Sequence, residues 1–366
     1  MTRVLVLLNW IRPMTIEYDV SERLGREPGL DVTVACYEDA SLEDVEAPVD
    51  TDAISLEFLG AESRFDPDAI GGLRRLLASG RFDLLHTQTN FTGALGRALA
   101  PRDLLIVDTE HADHRLHYTA AQNAVNATTL WRSDRVVANS QATLDSFYPH
   151  ERLLVPERKR RVIYNGIDID AIDELRSGPN PWETDRPRVA TVGRMIPTKN
   201  QRALVAAFDS VRRSVADAEL VVVGDGPERE RLERLVRAYR LGEHVTFTGT
   251  LSRRDVYRIL HASDLFALSS RSEGFCVALA EAMACGLAPV VSDIPALHEV
   301  AGETAVFRDP ERTEAFADAI RRLLRDPDER ERRATAAEER ARTLFPIERS
   351  VEEYRALYEE LVAERA

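Results

Sequence analysis

The chain has 366 residues, 44% of them hydrophobic, and 62 acidic against 48 basic side chains give a net charge of −14. That length exceeds one small core and favours two domains, and the acid excess argues against broad nucleic-acid binding while leaving room for a local cationic pocket. No apolar run approaches the roughly 18 residues of a membrane span, and three cysteines without a Cys-x-x-Cys pair supply neither a disulfide scaffold nor a structural zinc site, which fits a reducing cytoplasm.

Only two of the basic residues are lysines, Lys159 and Lys199. Acid excess with near-absent lysine fits a salt-adapted surface, and equally a GC-rich genome that drifts toward Arg and Ala.

Short β-branched or Leu-rich runs alternate with helical patterns from the N-terminus onward. Strands are expected at 4–8, 32–35, 54–58, 84–86, 104–109, 135–138 and 161–164. Residues 4–8 are too short an apolar run for the core of a signal peptide and read as a buried first strand. Runs of this kind with helices between them describe a parallel sheet covered on both faces. Gly178-Pro179-Asn180-Pro181, with Pro187 soon after, is a linker signal.

The alternation restarts at 189–192 and continues with strands at 220–223, 245–248, 265–268 and 288–292. One intervening helix carries Leu204, Phe208 and Val211 on a single face, and another carries Leu232, Leu235, Val236 and Tyr239, at helical spacing. Residues 326–342 are highly charged and predict a solvated helix. A last helix from Ile347 to about Val362 carries the stripe Ile347, Val351, Tyr354, Tyr358 and Leu361. The expected fold is α/β, with two doubly wound, Rossmann-like units at 1–180 and 181–345 and a C-terminal helix at 346–366.

Ligands of open parallel sheets bind outside the carboxyl ends of the strands, so the loops there carry the chemistry. In Gly193-Arg194-Met195-Ile196-Pro197-Thr198-Lys199, two cations five apart leave a strand and precede a helix. Arg can grip phosphate oxygens in pairs, Lys acts as a point charge, and a helix N-terminus adds positive potential; together they suit a diphosphate. An ordinary basic surface loop is the plain alternative, but a Lys in a chain that uses Arg almost everywhere suggests that an ammonium is needed.

Gly224-Asp225-Gly226-Pro227-Glu228 looks like half of a dinucleotide fingerprint; with Glu230 at the third glycine's place it reads better as a tight strand-to-helix turn. In 272–283, Glu273 and Glu281 stand eight apart. Glu281 lies in an apolar helix, where a carboxylate needs partners; it suits a vicinal diol such as a ribose, or else pairs with an Arg. Gly274 and the following amides open that helix and could hold a phosphate or sugar hydroxyls.

The pieces V-G-R-M-I-P-T-K-N, V-V-V-G-D-G-P-E, V-T-F-T-G, E-G-F-C-V-A-L-A-E-A-M-A-C-G and P-V-V-S-D resemble, in order and spacing, the donor domain of retaining glycosyltransferases of family 4, which have the GT-B fold. The Glu-x7-Glu signature is the most specific of them. In the first half, Ala138-Asn139-Ser140 and 162–168 resemble the end of the family's acceptor domain. The resemblance covers most of the chain and is dense in the second half.

It implies two domains facing a cleft, with the last helix crossing back to the first domain. It also implies sugar transfer from a nucleotide-diphosphate donor to a glycan, lipid-linked or small-molecule acceptor. Arg194 and Lys199 would bind the diphosphate, Glu281 the ribose, and Glu273 would lie beside the sugar. Gly274, Phe275, Cys276 and Val277 would contribute backbone contacts, Gly193 and Gly224 would also belong to the donor-binding set, and Thr248, Gly249 and Leu251 would lie near the base. His111 looks like the family's histidine near the transferred sugar, although His114 and His117 are close by. The catalytic set is then His111, Glu273, Arg194 and Lys199.

No cofactor and no metal are expected: the cations would stabilise the departing charge, and Asp168-Ile169-Asp170 reads as a helix start rather than a metal motif. The expected setting is cytoplasmic, with room for peripheral association at the inner face of a membrane, and with no nucleic-acid partner. Two departures stand out. The loop Asn9-Trp10-Ile11-Arg12-Pro13-Met14-Thr15 lacks the family's Gly-Gly pair, and Cys276 stands where the family usually has Gly. A nucleotide-sugar epimerase, a glycogen-synthase-like enzyme and a non-catalytic nucleotide-sugar-binding protein remain as alternatives.

Overall fold

The computed structural model describes residues 1–11, 16–44 and 49–365. Residues 12–15 of the first-strand loop lie outside them. The chain divides into two compact units, 1–166 with 347–366, and 167–346.

The first unit is built on a seven-stranded parallel sheet: β1 (Thr2–Leu8), β2 (Leu30–Cys36), β3 (Ser55–Phe58), β4 (Leu84–Thr87), β5 (Leu105–Glu110), β6 (Arg135–Ala138) and β7 (Arg160–Val162), in the order β3-β2-β1-β4-β5-β6-β7. The pleat divides β1 between two cores. Val4, Val6 and Leu8 face a cluster that includes Ile347, Val351 and Leu361 of the helix Ile347–Arg365; Leu5 and Leu7 face Leu73 and Leu77 of the helix Pro67–Leu77. Both faces of the strand are covered, so its apolar run is continuous rather than alternating.

The whole stripe expected on the last helix is buried, together with Leu357 and Ser350. Its tyrosines also bond to the sheet: the Tyr358 hydroxyl lies 2.6 Å from His86 Nδ1, and the Tyr354 hydroxyl lies 3.1 Å from Thr109 Oγ1. His86 Nε2 is 2.7 Å from the same Thr109 oxygen. Full burial holds the His86 imidazole neutral, with its pKa pushed down to about 3 and His111 adding to the effect.

The second unit has a six-stranded parallel sheet: β8 (Arg188–Val192), β9 (Glu219–Val223), β10 (Val245–Gly249), β11 (Leu265–Leu268), β12 (Ala288–Ser292) and β13 (Val306–Arg308), ordered β10-β9-β8-β11-β12-β13. The expected strands are all present within a residue or two. β13 was missed, because three residues pairing with β12 at the sheet edge carry too little periodicity to read. Of residues 326–342, Asp326 caps and the rest fall within the helix Pro327–Leu344, which is solvated except for a small alanine face at Ala337 and Ala341.

The domain boundary also differs from the one expected at 180. Residues 167–180 belong to the second unit. The helix Ile169–Glu174 buries Ile172 there, the Ile172 carbonyl lies 3.0 Å from His261 Nε2, and Asp173 and Glu174 pair with Arg342 and Arg254 at 2.6 and 2.8 Å. Asn180 Nδ2 donates to the Arg258 carbonyl. The Gly-Pro-Asn-Pro stretch is therefore a loop within the second unit, and turn-forming composition alone does not separate a loop from a linker.

Candidate functional site

In the second unit the strand order reverses between β8 and β11, and open α/β sheets bind ligands outside such a switch point. The loop after β8 carries Gly193, Arg194 and Lys199; the loop after β11 carries Glu273, Gly274, Phe275 and Cys276, then enters the helix Val277–Ala284 with Val277 and Glu281. The two loops are laced together. Arg271 N–H donates to the Thr198 carbonyl at 2.8 Å, and Ser269 Oγ to the Asn200 carbonyl at 2.8 Å. Asn200 sits in the left-handed region (φ 50°) and anchors the loop through Nδ2 to the Pro310 carbonyl.

Across the switch point, Lys199 Nζ donates to both carboxylate oxygens of Glu273, each at 2.7 Å. Burial works against the ammonium, but the Glu273 carboxylate, through its charge and its hydrogen bonds, holds the Lys199 pKa above the ordinary lysine value. Arg194 is exposed, and its side chain makes no hydrogen bond or ion pair among the described residues. One cation of the expected pair is thus engaged by a carboxylate and the other is open to solvent. The buried hydroxyls of Thr198, Ser270 and Ser272 have no hydrogen-bond partner among the described residues. Sequence reasoning missed them, although Ser269-Ser270-Arg271-Ser272 directly after an apolar strand was a readable signal.

The Gly224-Asp225-Gly226 turn has a structural task. A Cβ on Gly224 would lie 2.3 Å from the Gly193 carbonyl oxygen, and one on Gly226 would lie 2.5 Å from that of Met195. Gly193 and Met195 N–H groups donate to the Val223 and Asp225 carbonyls at 3.0 and 2.8 Å. The two glycines let one loop lie against the other. Gly224 N–H also donates to the Gly249 carbonyl, which ties in the end of β10 beside Thr248 and Leu251.

Glu281 is buried, and of the partners expected for it the arginine is present, joined by a tyrosine that was not expected. The Tyr257 hydroxyl donates to its Oε1 at 3.1 Å, and Arg253 Nε lies 3.4 Å from the same oxygen. Phe275 is buried edge-on against Phe345, with ring centroids 5.0 Å apart, so only its backbone is available to a ligand. Cys276 caps the helix at φ 76°, ψ 71°. That region suits Gly, and holding another residue there costs on the order of 1–3 kcal/mol. Burial, aided by Glu273, pushes its thiol pKa up, so the sulfur is held as a thiol.

In the first unit His111 follows β5 and is half-buried. Its Nε2 lies 3.2 Å from Gln88 Oε1 and 3.7 Å from Glu17 Oε1. The Asn139 side-chain amide donates to its carbonyl at 3.1 Å. His114 is set apart by its surroundings: it is fully buried, with Nδ1 3.0 Å from Glu151 and Nε2 3.3 Å from Glu110, and it stacks on Phe147 at 4.4 Å. Burial opposes its charge, but Glu110 and Glu151 raise its pKa to about 10. Glu110 is held low in turn, against its own burial, by His114 and Arg97. Arg97 bonds Asp108 and Asn126, and Asn126 bonds Glu110. His114 therefore belongs to a buried ion network beneath the His111 loop, while His117 is exposed. Among the described residues no group of three or more His, Cys, Asp or Glu side chains is placed to hold a metal ion.

Two family models divide this chain between them. The model described as Glycosyltransferase Family 4 matches residues 18–171, and that described as Glycosyl transferases group 1 matches residues 173–340. The chain belongs to glycosyltransferase family 4. An alpha-D-kanosaminyltransferase of Streptomyces kanamyceticus is 31% identical over 179 residues, 48% of this chain and 46% of that protein. A GDP-mannose-dependent phosphatidylinositol monomannoside mannosyltransferase of Mycobacterium tuberculosis is 33% identical over 153 residues, 39% of this chain and 40% of that protein. The matched stretch thus spans less than half of either curated relative.

Among solved structures, Anabaena HepE in complex with UDP and glucose superposes with a TM-score of 0.82 at 20% identity, covering 98% of this family 4 chain and all of the other. A sucrose-phosphate synthase from Thermosynechococcus elongatus gives 0.81 at 23% identity over the full length of both. The fold of this family 4 protein is GT-B, with two Rossmann-like units.

Proposed function

We propose that this chain transfers a sugar from a nucleotide-diphosphate donor to a hydroxyl-bearing acceptor, with retention at the anomeric carbon. The observation that carries the reading is the arrangement at the β8/β11 switch point, where Arg194 lies open and Lys199 is held by Glu273. A donor diphosphate offers Lys199 a second anionic partner, and Arg194 adds a fork of donors. In the net reaction the bond between the anomeric carbon and the diphosphate breaks, a bond from the acceptor oxygen forms, and nucleoside diphosphate and a proton are released. The developing charge on the leaving group is what most needs stabilising, and fixed cations supply that without reorganisation.

In this reading Glu273 lies beside the sugar once Lys199 turns to phosphate, and Glu281 accepts from the ribose hydroxyls while Tyr257 and Arg253 hold it in place. The amides from Gly274 to Val277 open the helix toward the phosphates, and Thr248, Gly249 and Leu251 flank the base. Gly193 and Gly224 act through the fit of the loops, and His111 serves the transferred sugar. No metal is required, because the cations take that role. The acceptor is a glycan, a lipid-linked sugar or a small molecule. No helix of the described chain is long and apolar enough to cross a membrane, which fits work in the cytoplasm. The test is release of nucleoside diphosphate from a panel of UDP-, GDP- and ADP-sugars, with and without acceptors and in the presence of EDTA. Acceptor-dependent release supports the reading; donor binding without release under every condition rejects it.

A further inference from the structure

Strand β5 is buried along its whole length, yet it carries Asp108 and Glu110. Alternation puts both carboxylates on one face of the sheet. Thr109 is on the other, where it meets His86 and Tyr354. Carboxylates in a core are costly without partners, and here each has a cation. Arg97, from the helix Asn90–Leu99, bonds Asp108, and His114 Nε2 lies 3.3 Å from Glu110 Oε2. Asn126, from the helix Ala120–Leu130, joins Arg97 to Glu110. Glu151, from the helix Pro149–Leu154, lies 3.0 Å from His114 Nδ1. None of these five charged side chains is more than 3% exposed.

Well-packed apolar side chains in place of such a group are often as stable or more so, so stability alone does not account for five buried ions. What the group does hold is the segment from Glu110 to His114. At its start the Glu110 carbonyl accepts from Asn139 N–H at 3.1 Å, and the Asn139 side-chain amide donates to the His111 carbonyl at 3.1 Å. At its end His114 N–H donates to Ser146 Oγ at 2.9 Å, and its carbonyl accepts from Asn123 Nδ2 at 2.6 Å. The His114 ring is clasped by two carboxylates and stacked on Phe147.

The His111 ring, inside this clamped segment, is much less engaged. Its Nε2 lies 3.2 Å from Gln88 Oε1, and its Nδ1 has no hydrogen-bond partner among the described residues. A fixed backbone that carries a side chain with an unused ring nitrogen is the arrangement of a preorganised functional group and its support.

We propose that His114, locked by Glu110 and Glu151, is a positioning residue for His111, resting on the reading that His111 serves the transferred sugar. His114 is fully buried and cannot touch a ligand itself. It acts by fixing the turn that presents the His111 imidazole, so that the ring need not be ordered at the moment of reaction.

The test is steady-state transfer by the full chain carrying His114→Gln, Glu151→Gln or Ser146→Ala, each alone and each combined with His111→Ala. Displacement of a functional group by about 1 Å can cost up to roughly 100-fold. A loss of kcat of roughly 10-fold or more is therefore expected for His114→Gln and Glu151→Gln, with a smaller loss for Ser146→Ala and donor KM within about 2-fold of the wild type. A residue that acts through His111 has nothing left to position once that ring is gone. Each double variant should then be no slower than His111→Ala alone. Melting curves and nucleoside diphosphate titration set the folded fraction. Ser146→Ala, which removes a single hydroxyl, carries the comparison if the charge variants fail to fold. Unchanged kcat in the folded variants overturns the proposal, and so do losses that multiply with that of His111→Ala, which would show a general effect on the fold. Failure of the wild-type chain to transfer sugar to any acceptor would instead reject the transferase reading, and the role of His114 with it.

Discussion

Lys199 Nζ and the Glu273 carboxylate form a two-pronged ion pair, with both oxygens 2.7 Å from the nitrogen, across the strand-order reversal of the second unit. Glu273 therefore competes with any diphosphate that approaches Lys199. Glu273→Gln should tighten binding of nucleoside diphosphate alone, by roughly 10-fold or about 1.4 kcal/mol, while lowering turnover of the sugar donor. Calorimetric titration with nucleoside diphosphate, set beside turnover, checks this; weaker diphosphate binding in the variant would show that the carboxylate helps to hold the phosphates.

The left-handed backbone at Cys276 can be probed through stability. Cys276→Gly relieves the conformation but loses buried sulfur contacts, so the net change should stay within ~1 kcal/mol. Cys276→Val, β-branched at φ 76°, should lose about 2 kcal/mol or more. Urea unfolding of both variants decides; equal stability for Gly and Val would show that the backbone relaxes at no cost.

Two buried histidines give the first unit opposite pH dependences. The folded-state pKa of His114 is raised to about 10, so its contribution is fully present below the unfolded value near 6.5 and is lost as pH rises through about 10. His86 is depressed to about 3. The unfolded chain then binds the extra proton first, and stability falls as pH drops from about 6.5 toward 3. Thermal melts should show His114→Gln flattening the alkaline limb and His86→Gln flattening the acid limb. Both variants also lose buried hydrogen bonds, so the slope with pH is the readout rather than the absolute melting temperature.

The helix Ile347–Arg365 places Ile347, Val351, Tyr354, Leu357, Tyr358 and Leu361 in the core of the first unit. Removing such side chains costs roughly 2–5 kcal/mol each, against a domain stability of about 5–15 kcal/mol. A chain ending at Pro346 should therefore have an unfolded first unit and a folded second unit that still binds nucleotide. Hydrogen exchange resolved by peptide checks this; native protection across β1–β7 in the truncated chain would contradict it.

The strand runs were legible in the sequence because buried parallel strands are continuous apolar stretches, and the apolar stripe of the last helix was legible because its period survives 15 residues. Residues 167–180 were misplaced because Gly-Pro-Asn-Pro reports a turn in any setting, whereas their allegiance depends on Ile172, Asp173 and Glu174 finding partners distant in the chain. The residue types at the β8/β11 loops were legible. Their pairing was not: nothing local to Lys199 or Glu273 reveals that the two meet, nor that Tyr257 and Arg253 converge on Glu281. His111 and His114 differ by three positions in the sequence, and only their burial and carboxylate neighbours tell them apart.

The proposed hold on the donor diphosphate lies in the loops after β8 and β11, through Arg194 and Lys199. Its most direct test is turnover of the preferred nucleotide-sugar by Arg194→Ala and Lys199→Ala, with folding verified by melting curves. Each variant is expected to lose about 100-fold or more, the scale seen when a preorganised charge stabiliser is removed. Near-normal kinetics in both would contradict the assignment.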